Sequence, residues 1–123
     1  TEEFVSQCAD VRVTIADRPG SLRALVDFYR AADVVVGTRM HSVIFAISQG
    51  TPAVAVGYFG PKAIGIMRQI GAESLCLDQS TVEARDIVRA TTEALARFGD
   101  DRMALVADGL RRRVWQALAN VTV

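Results

Sequence analysis

The chain holds one histidine, His41, and one lysine, Lys62. His41 closes the run Gly37, Thr38, Arg39, Met40, His41. An imidazole can exchange a proton near neutral pH. A guanidinium is a planar fork suited to a carboxylate or a phosphate. Gly37 lets the backbone turn tightly, Thr38 can cap a helix, and the freed N–H groups of a helix start favour an anion. The run is therefore suited to hold a small anion and to move a proton on it. The plainer alternatives are a solvated arginine and a packed, hydrogen-bonded histidine. An arginine at a helix N-terminus opposes the helix dipole, which adds weight to the functional reading. Lys62 and Tyr58 stand on the next junction along the chain, where each taken alone reads as a bystander or a rim residue.

Such residues act together only if the fold gathers them. Residues 11–16 alternate apolar and polar, the pattern of a strand. After Pro19-Gly20, Ser21 caps a predicted helix over 21–32. Residues 33–36 form an apolar, β-branched run ended by Gly37, the pattern of a strand buried on both faces. Thr38 then opens a helix to Gln49 that is apolar nearly all round and predicted to be buried, with Gly50 at its C-terminus. Residues 52–56 read as a strand, 62–70 as a helix ended by Gly71, and 74–77 as a short strand. Ser80 and Glu83 form a predicted capping box. The helix they open carries Ala84, Ile87, Val88, Thr91, Leu95 and Phe98 on one stripe and ends at Gly99. A last helix from about Asp101 carries Met103, Val106, Leu110, Val114, Ala117 and Val121. Residues 1–9 are weakly helical in pattern.

Alternating strands and helices with short connections predict one α/β domain over residues 1–123, Rossmann-like and three-layered, with a mostly parallel sheet. Ligands of such sheets bind at the carboxyl ends of the strands. That edge would collect Asp17 and Arg18, then residues 37–41, 57–62 and 78–80. The basic run Arg111 to Arg113 reads as a solvated helix face, or else a contact with another domain or a phosphate. Trp115 reads as a packing anchor.

Composition sets the outer bounds. The chain has 123 residues, 50% hydrophobic and 23% charged, and 14 basic residues balance 14 acidic ones. That is the profile of an ordinary globular domain, not of a disordered chain. Zero net charge gives no support for nucleic-acid binding, and no apolar run approaches a membrane span. The two cysteines, Cys8 and Cys76, are expected to be free thiols of a reducing compartment. One histidine, two distant cysteines and no clustered carboxylates give no metal-ligand spacing. No P-loop, dinucleotide fingerprint or nucleophile elbow occurs. The chain begins at Thr1 with no signal-peptide pattern, so the numbering is expected to start inside a longer protein or after a removed tag.

Residues 32–41 (ADVVVGTRMH), the helix to Gly50, Pro52 with its short strand, Tyr58 and Lys62 together resemble the polysaccharide pyruvyl transferase family. The match is clear over 32–67. The loop from Tyr58 to Lys62 departs from it, since family members usually have a shorter and more polar link there. The resemblance implies the C-terminal half of a two-domain GT-B-like protein, with the N-terminal half of the same protein as its partner. It also implies transfer of the pyruvyl unit of phosphoenolpyruvate to two hydroxyls of a sugar in a polysaccharide or its precursor, forming a cyclic ketal. His41 would be the general acid, and Gly37, Thr38, Arg39, Tyr58 and Lys62 would bind substrate. No cofactor is expected beyond the donor substrate, and the setting is expected to be cytoplasmic. The chain alone is expected to be inactive, because a cleft needs two walls. Two other readings share the fold. One is a nucleotide-sugar-binding half of a GT-B glycosyltransferase, and the other is a binding module without catalysis.

Overall fold

The computed structural model describes residues 3, 7, 12–57 and 60–120, with the side chain of Lys62 excepted. Helix α1 (Leu22–Ala31) starts where the Ser21 hydroxyl accepts the Ala24 N–H at 3.1 Å, the cap its sequence predicts. There follow β1 (Val35–Gly37), α2 (Met40–Ser48), β2 (Ala53–Gly57), α3 (Pro61–Gln69), a 3-10 turn at Glu73–Leu75, β3 (Cys76–Asp78), α4 (Ala84–Phe98) and α5 (Arg102–Ala119). The strands form a parallel sheet in the order β1-β2-β3. All five residues of β2 are buried, so helices cover both faces of the central strand. Val43 and Ile47 of α2, Met67 of α3, Leu75, Phe98 of α4 and Met103 of α5 enclose it. Burying each such large side chain contributes about 1.5–3 kcal/mol. This architecture is α/β and consistent with a Rossmann-like domain.

Two helices end in the same way. Gly50 has φ +83° and Gly71 has φ +70°. The Gly50 N–H donates to the Ile47 carbonyl at 2.9 Å and the Thr51 N–H to that of Ala46 at 3.0 Å. The Gly71 and Ala72 N–H groups donate to the Arg68 and Met67 carbonyls at 2.9 and 2.8 Å. Both are Schellman endings, which satisfy the last carbonyls of a helix and turn the chain toward the next strand.

Several expectations are corrected. Residues 12–16 form no strand. Their alternation fits a half-buried strand, but pattern alone supplies no partner edge. β1 is an outer strand with Val36 exposed, not one buried on both faces. Residues 73–75 wind into a 3-10 turn, so β3 begins later than predicted. The capping box joins Glu83 to Asp86, not Ser80 to Glu83. On α4 the buried stripe is Ala90, Ala94 and Phe98, while Val88 and Leu95 are exposed. Small side chains face the sheet because they let the helix approach β2 closely. Ile44 on α2 is exposed, and so are Val114, Trp115 and Ala117 on α5. Trp115 therefore anchors no packing among the described residues. Of the predicted helix over 1–9, only Glu3 and Gln7 are described, both helical. Cys8 and Val121 lie outside the described residues. Cys76 is a free, partly buried thiol whose pKa burial raises. No described helix is long and apolar enough to cross a membrane.

Candidate functional site

Parallel pairing brings the ends of β1, β2 and β3 to one edge. Gly37 lies beside Ala55, and Gly57 lies beside Asp78. Residues 37–41, Gly57, Gly60 with the start of α3, and residues 78–80 therefore share that edge, as their order in the sequence predicts. Asp17 and Arg18 follow an irregular segment and are exposed.

The junction from β1 to α2 is tight because Gly37 has no side chain. A Cβ there would come within 2.9 Å of Val43 Cγ2. Gly37 lacks a positive φ, so close packing, not an unusual turn, calls for glycine. The expected cap shifts by one residue. Arg39 rather than Thr38 is the N-cap of α2, with extended backbone and no side-chain capping bond. The Arg39 carbonyl accepts the Ser42 and Val43 N–H groups at 3.1 and 3.4 Å. The Met40 and His41 N–H groups have no acceptor among the described residues. They are free for an anion at the positive end of the helix. Thr38, Arg39 and His41 are exposed, and neither Arg39 nor His41 forms an ion pair among the described residues.

The second junction offers another helix start. Gly60 is the N-cap of α3 and Pro61 its first residue, where a missing N–H costs nothing. A hollow of about 320 Å³ lined by Gly60, Pro61, Ile64 and Arg68 lies there. Lys62 stands in the first turn of this helix, but its side chain lies outside the described residues, as does all of Tyr58. Among the described residues no three His, Cys, Asp or Glu side chains group to hold a metal.

The third junction contributes a carboxylate that belongs to the edge but was given no role from sequence. Asp78 Oδ1 accepts the Ser80 N–H at 2.8 Å and the Ser80 hydroxyl at 2.7 Å. The spacing Asp-x-Ser after a strand is the signal that finds such a turn. These bonds lower the Asp78 pKa. Glu73 is lowered by its bond to Arg68, and Glu93 by bonds from Ser74 and then Arg97. A carboxylate whose folded pKa is depressed stabilises the fold above its unfolded pKa, and that contribution is lost as pH falls through the folded value. Stability is therefore expected to be flat above about pH 5 and to fall below about pH 4. Urea midpoints measured across that range check this, and Glu93→Gln should shallow the fall. An unchanged midpoint at pH 3 would contradict the assignment.

Residues 5–60 match the family model described as polysaccharide pyruvyl transferase. The match takes in residues 37–41 and stops short of Lys62. The chain is also similar to amylovoran biosynthesis protein AmsJ of Erwinia amylovora, with 32% identity over 65 residues. That alignment covers 53% of this chain and 15% of the relative, so the chain spans a small part of that protein's length. No solved structure matches the chain significantly.

Proposed function

We propose that this chain, whose residues 5–60 match the polysaccharide pyruvyl transferase family model, forms the donor-binding wall of an enzyme that transfers pyruvyl groups in polysaccharide biosynthesis. The observation that carries this reading is the uncapped start of α2. It presents two free N–H groups, Arg39 and His41 at one strand edge, inside the matched segment. Phosphoenolpyruvate is the proposed donor. It carries a carboxylate and a phosphate on a three-carbon frame. The helix start and Arg39 suit one of these anions. Lys62, in the first turn of α3, is the candidate for the other as a point charge.

In the proposed reaction His41 protonates the methylene carbon. The neighbouring carbon becomes electrophilic and takes two oxygens from the sugar. The carbon–oxygen bond to phosphate breaks. One hydroxyl proton replaces the one His41 gave, and the other leaves with phosphate. The product is a ketal bearing a methyl and a carboxylate. The rest of the polypeptide supplies the opposite wall and the acceptor site, so this chain alone is expected to show no turnover.

Titration of isotopically labelled protein with phosphoenolpyruvate should shift the amides of Gly37, Thr38, His41 and Gly60 saturably. A nucleotide sugar should not. Shifts with the nucleotide sugar alone would replace this reading with a glycosyltransferase donor site.

A further inference from the structure

Sheet order fixes how charge is laid out along the strand edge. The strands stand side by side as β1, β2 and β3. Arg39 and His41 follow β1, Lys62 follows β2, and Asp78 ends β3. Neighbouring strands lie about 4.8 Å apart, so β3 stands roughly 10 Å across the edge from β1. The two basic junctions are therefore adjacent, and the carboxylate belongs to the far strand.

Asp78 is exposed, yet it is held at several points. Its carbonyl accepts the Thr81 and Val82 N–H groups at 3.2 and 2.9 Å, and Val82 packs against the core. Its Oδ1 accepts both bonds from Ser80. Its Oδ2 accepts no hydrogen bond, and Asp78 has no cationic partner, among the described residues. Glu73, Glu93 and Asp108 pair instead with Arg68, Arg97 and Arg111. The bonds from Ser80 keep Asp78 ionised at neutral pH. Oδ2 is thus a fixed, charged acceptor with nothing to accept.

Such a group would repel a donor that carries a carboxylate and a phosphate. It suits the neutral reactant, whose hydroxyls have hydrogens to donate. Wherever the body of the sugar is held, its reacting hydroxyls must reach the central carbon of the donor. The gap of roughly 10 Å between the outer strands has room for a three-carbon donor and one attacking oxygen.

We propose that Asp78 binds the acceptor, its Oδ2 accepting the hydrogen of the attacking sugar hydroxyl and aiming that oxygen at the donor carbon. This rests on the pyruvyl transfer reading. The carboxylate orients the hydroxyl and does not keep its proton, which goes to His41 or leaves with phosphate as in the reaction above.

The test uses the full-length enzyme, phosphoenolpyruvate and methyl β-galactoside, a small sugar with a diol that one carbon can bridge. Phosphate release is the readout. Asp78→Asn removes the charge but keeps an oxygen that can accept from Ser80. It should raise the KM for the sugar by about tenfold to a hundredfold, the worth of a hydrogen bond to a charged group. The donor Kd, and the amide shifts that donor induces at Gly37 and His41, should stay unchanged. Ser80→Ala should raise the sugar KM far less, because the Ser80 N–H still holds Oδ1. An unchanged sugar KM in Asp78→Asn would overturn the proposal, and so would failure of a donor-binding enzyme to turn over the sugar. An equal loss in Ser80→Ala would assign Asp78 to the turn alone. A changed donor Kd in Asp78→Asn would replace the proposal with a contact to the donor site. Absence of donor binding by the unaltered enzyme would remove the pyruvyl transfer reading and this proposal with it.

Discussion

His41→Gln should lower kcat of the full-length enzyme by about 10²–10⁴-fold, the usual worth of a general acid, with donor affinity nearly unchanged. Glutamine keeps a polar, hydrogen-bonding side chain at the site but cannot deliver a proton. His41 is exposed in the first turn of α2 and supports no packing, so the fold should survive. Arg39→Ala makes the contrasting case. It removes a charge proposed to hold the donor in both ground and transition states, so it should act mainly on KM. Phosphate release measured with phosphoenolpyruvate and an acceptor, beside donor titration, separates the two effects. Near-normal turnover of His41→Gln would remove His41 from the chemistry while leaving the anion site standing.

Gly50→Ala should destabilise the fold by about 2–5 kcal/mol, from two independent costs. A residue with a side chain at φ +83° sits in the left-handed region, at about 1–2 kcal/mol. Its Cβ would also lie 3.0 Å from the Cβ of Ala104 and 3.2 Å from its Cα. The backbone of α5 must then shift, and overpacking of this kind costs about 1–3 kcal/mol. Gly71→Ala is the internal control. Gly71 ends α3 with the same motif and a similar φ, but its nearest neighbour is the flexible end of Arg97 at 3.8 Å. It should lose only the backbone part. Urea unfolding of the two variants measures the difference, and equal losses would show that the approach of α5 to Gly50 is unimportant.

Much of this protein is legible from local pattern. Ser21 caps where its hydroxyl must, Gly50 and Gly71 end their helices, and the apolar run 52–56 reads as a strand, found at Ala53–Gly57. Strand order then brings Arg39, His41 and Lys62 to one edge, since every βα junction of a parallel sheet opens the same way. Capping rules placed Thr38 and Ser80 one and three residues too early. Those rules compare hydroxyls along the chain, whereas the backbone path out of β1 and the Asp78–Ser80 turn decided where each helix begins.

What sequence determined by itself is the set of elements from residue 21 onward, their parallel arrangement and the residue types at the strand ends, because these follow from short-range backbone chemistry and periodicity. Tertiary structure decided which apolar residues are covered. Val88 and Leu95 face outward while Ala90 and Ala94 face the sheet, Gly37 is required by Val43, and the stripe of α5 is buried at Met103 yet bare at Trp115. A hydrophobic pattern records which side chains prefer burial. Whether they obtain it depends on which other surface is near enough to cover them, and no local rule contains that distance.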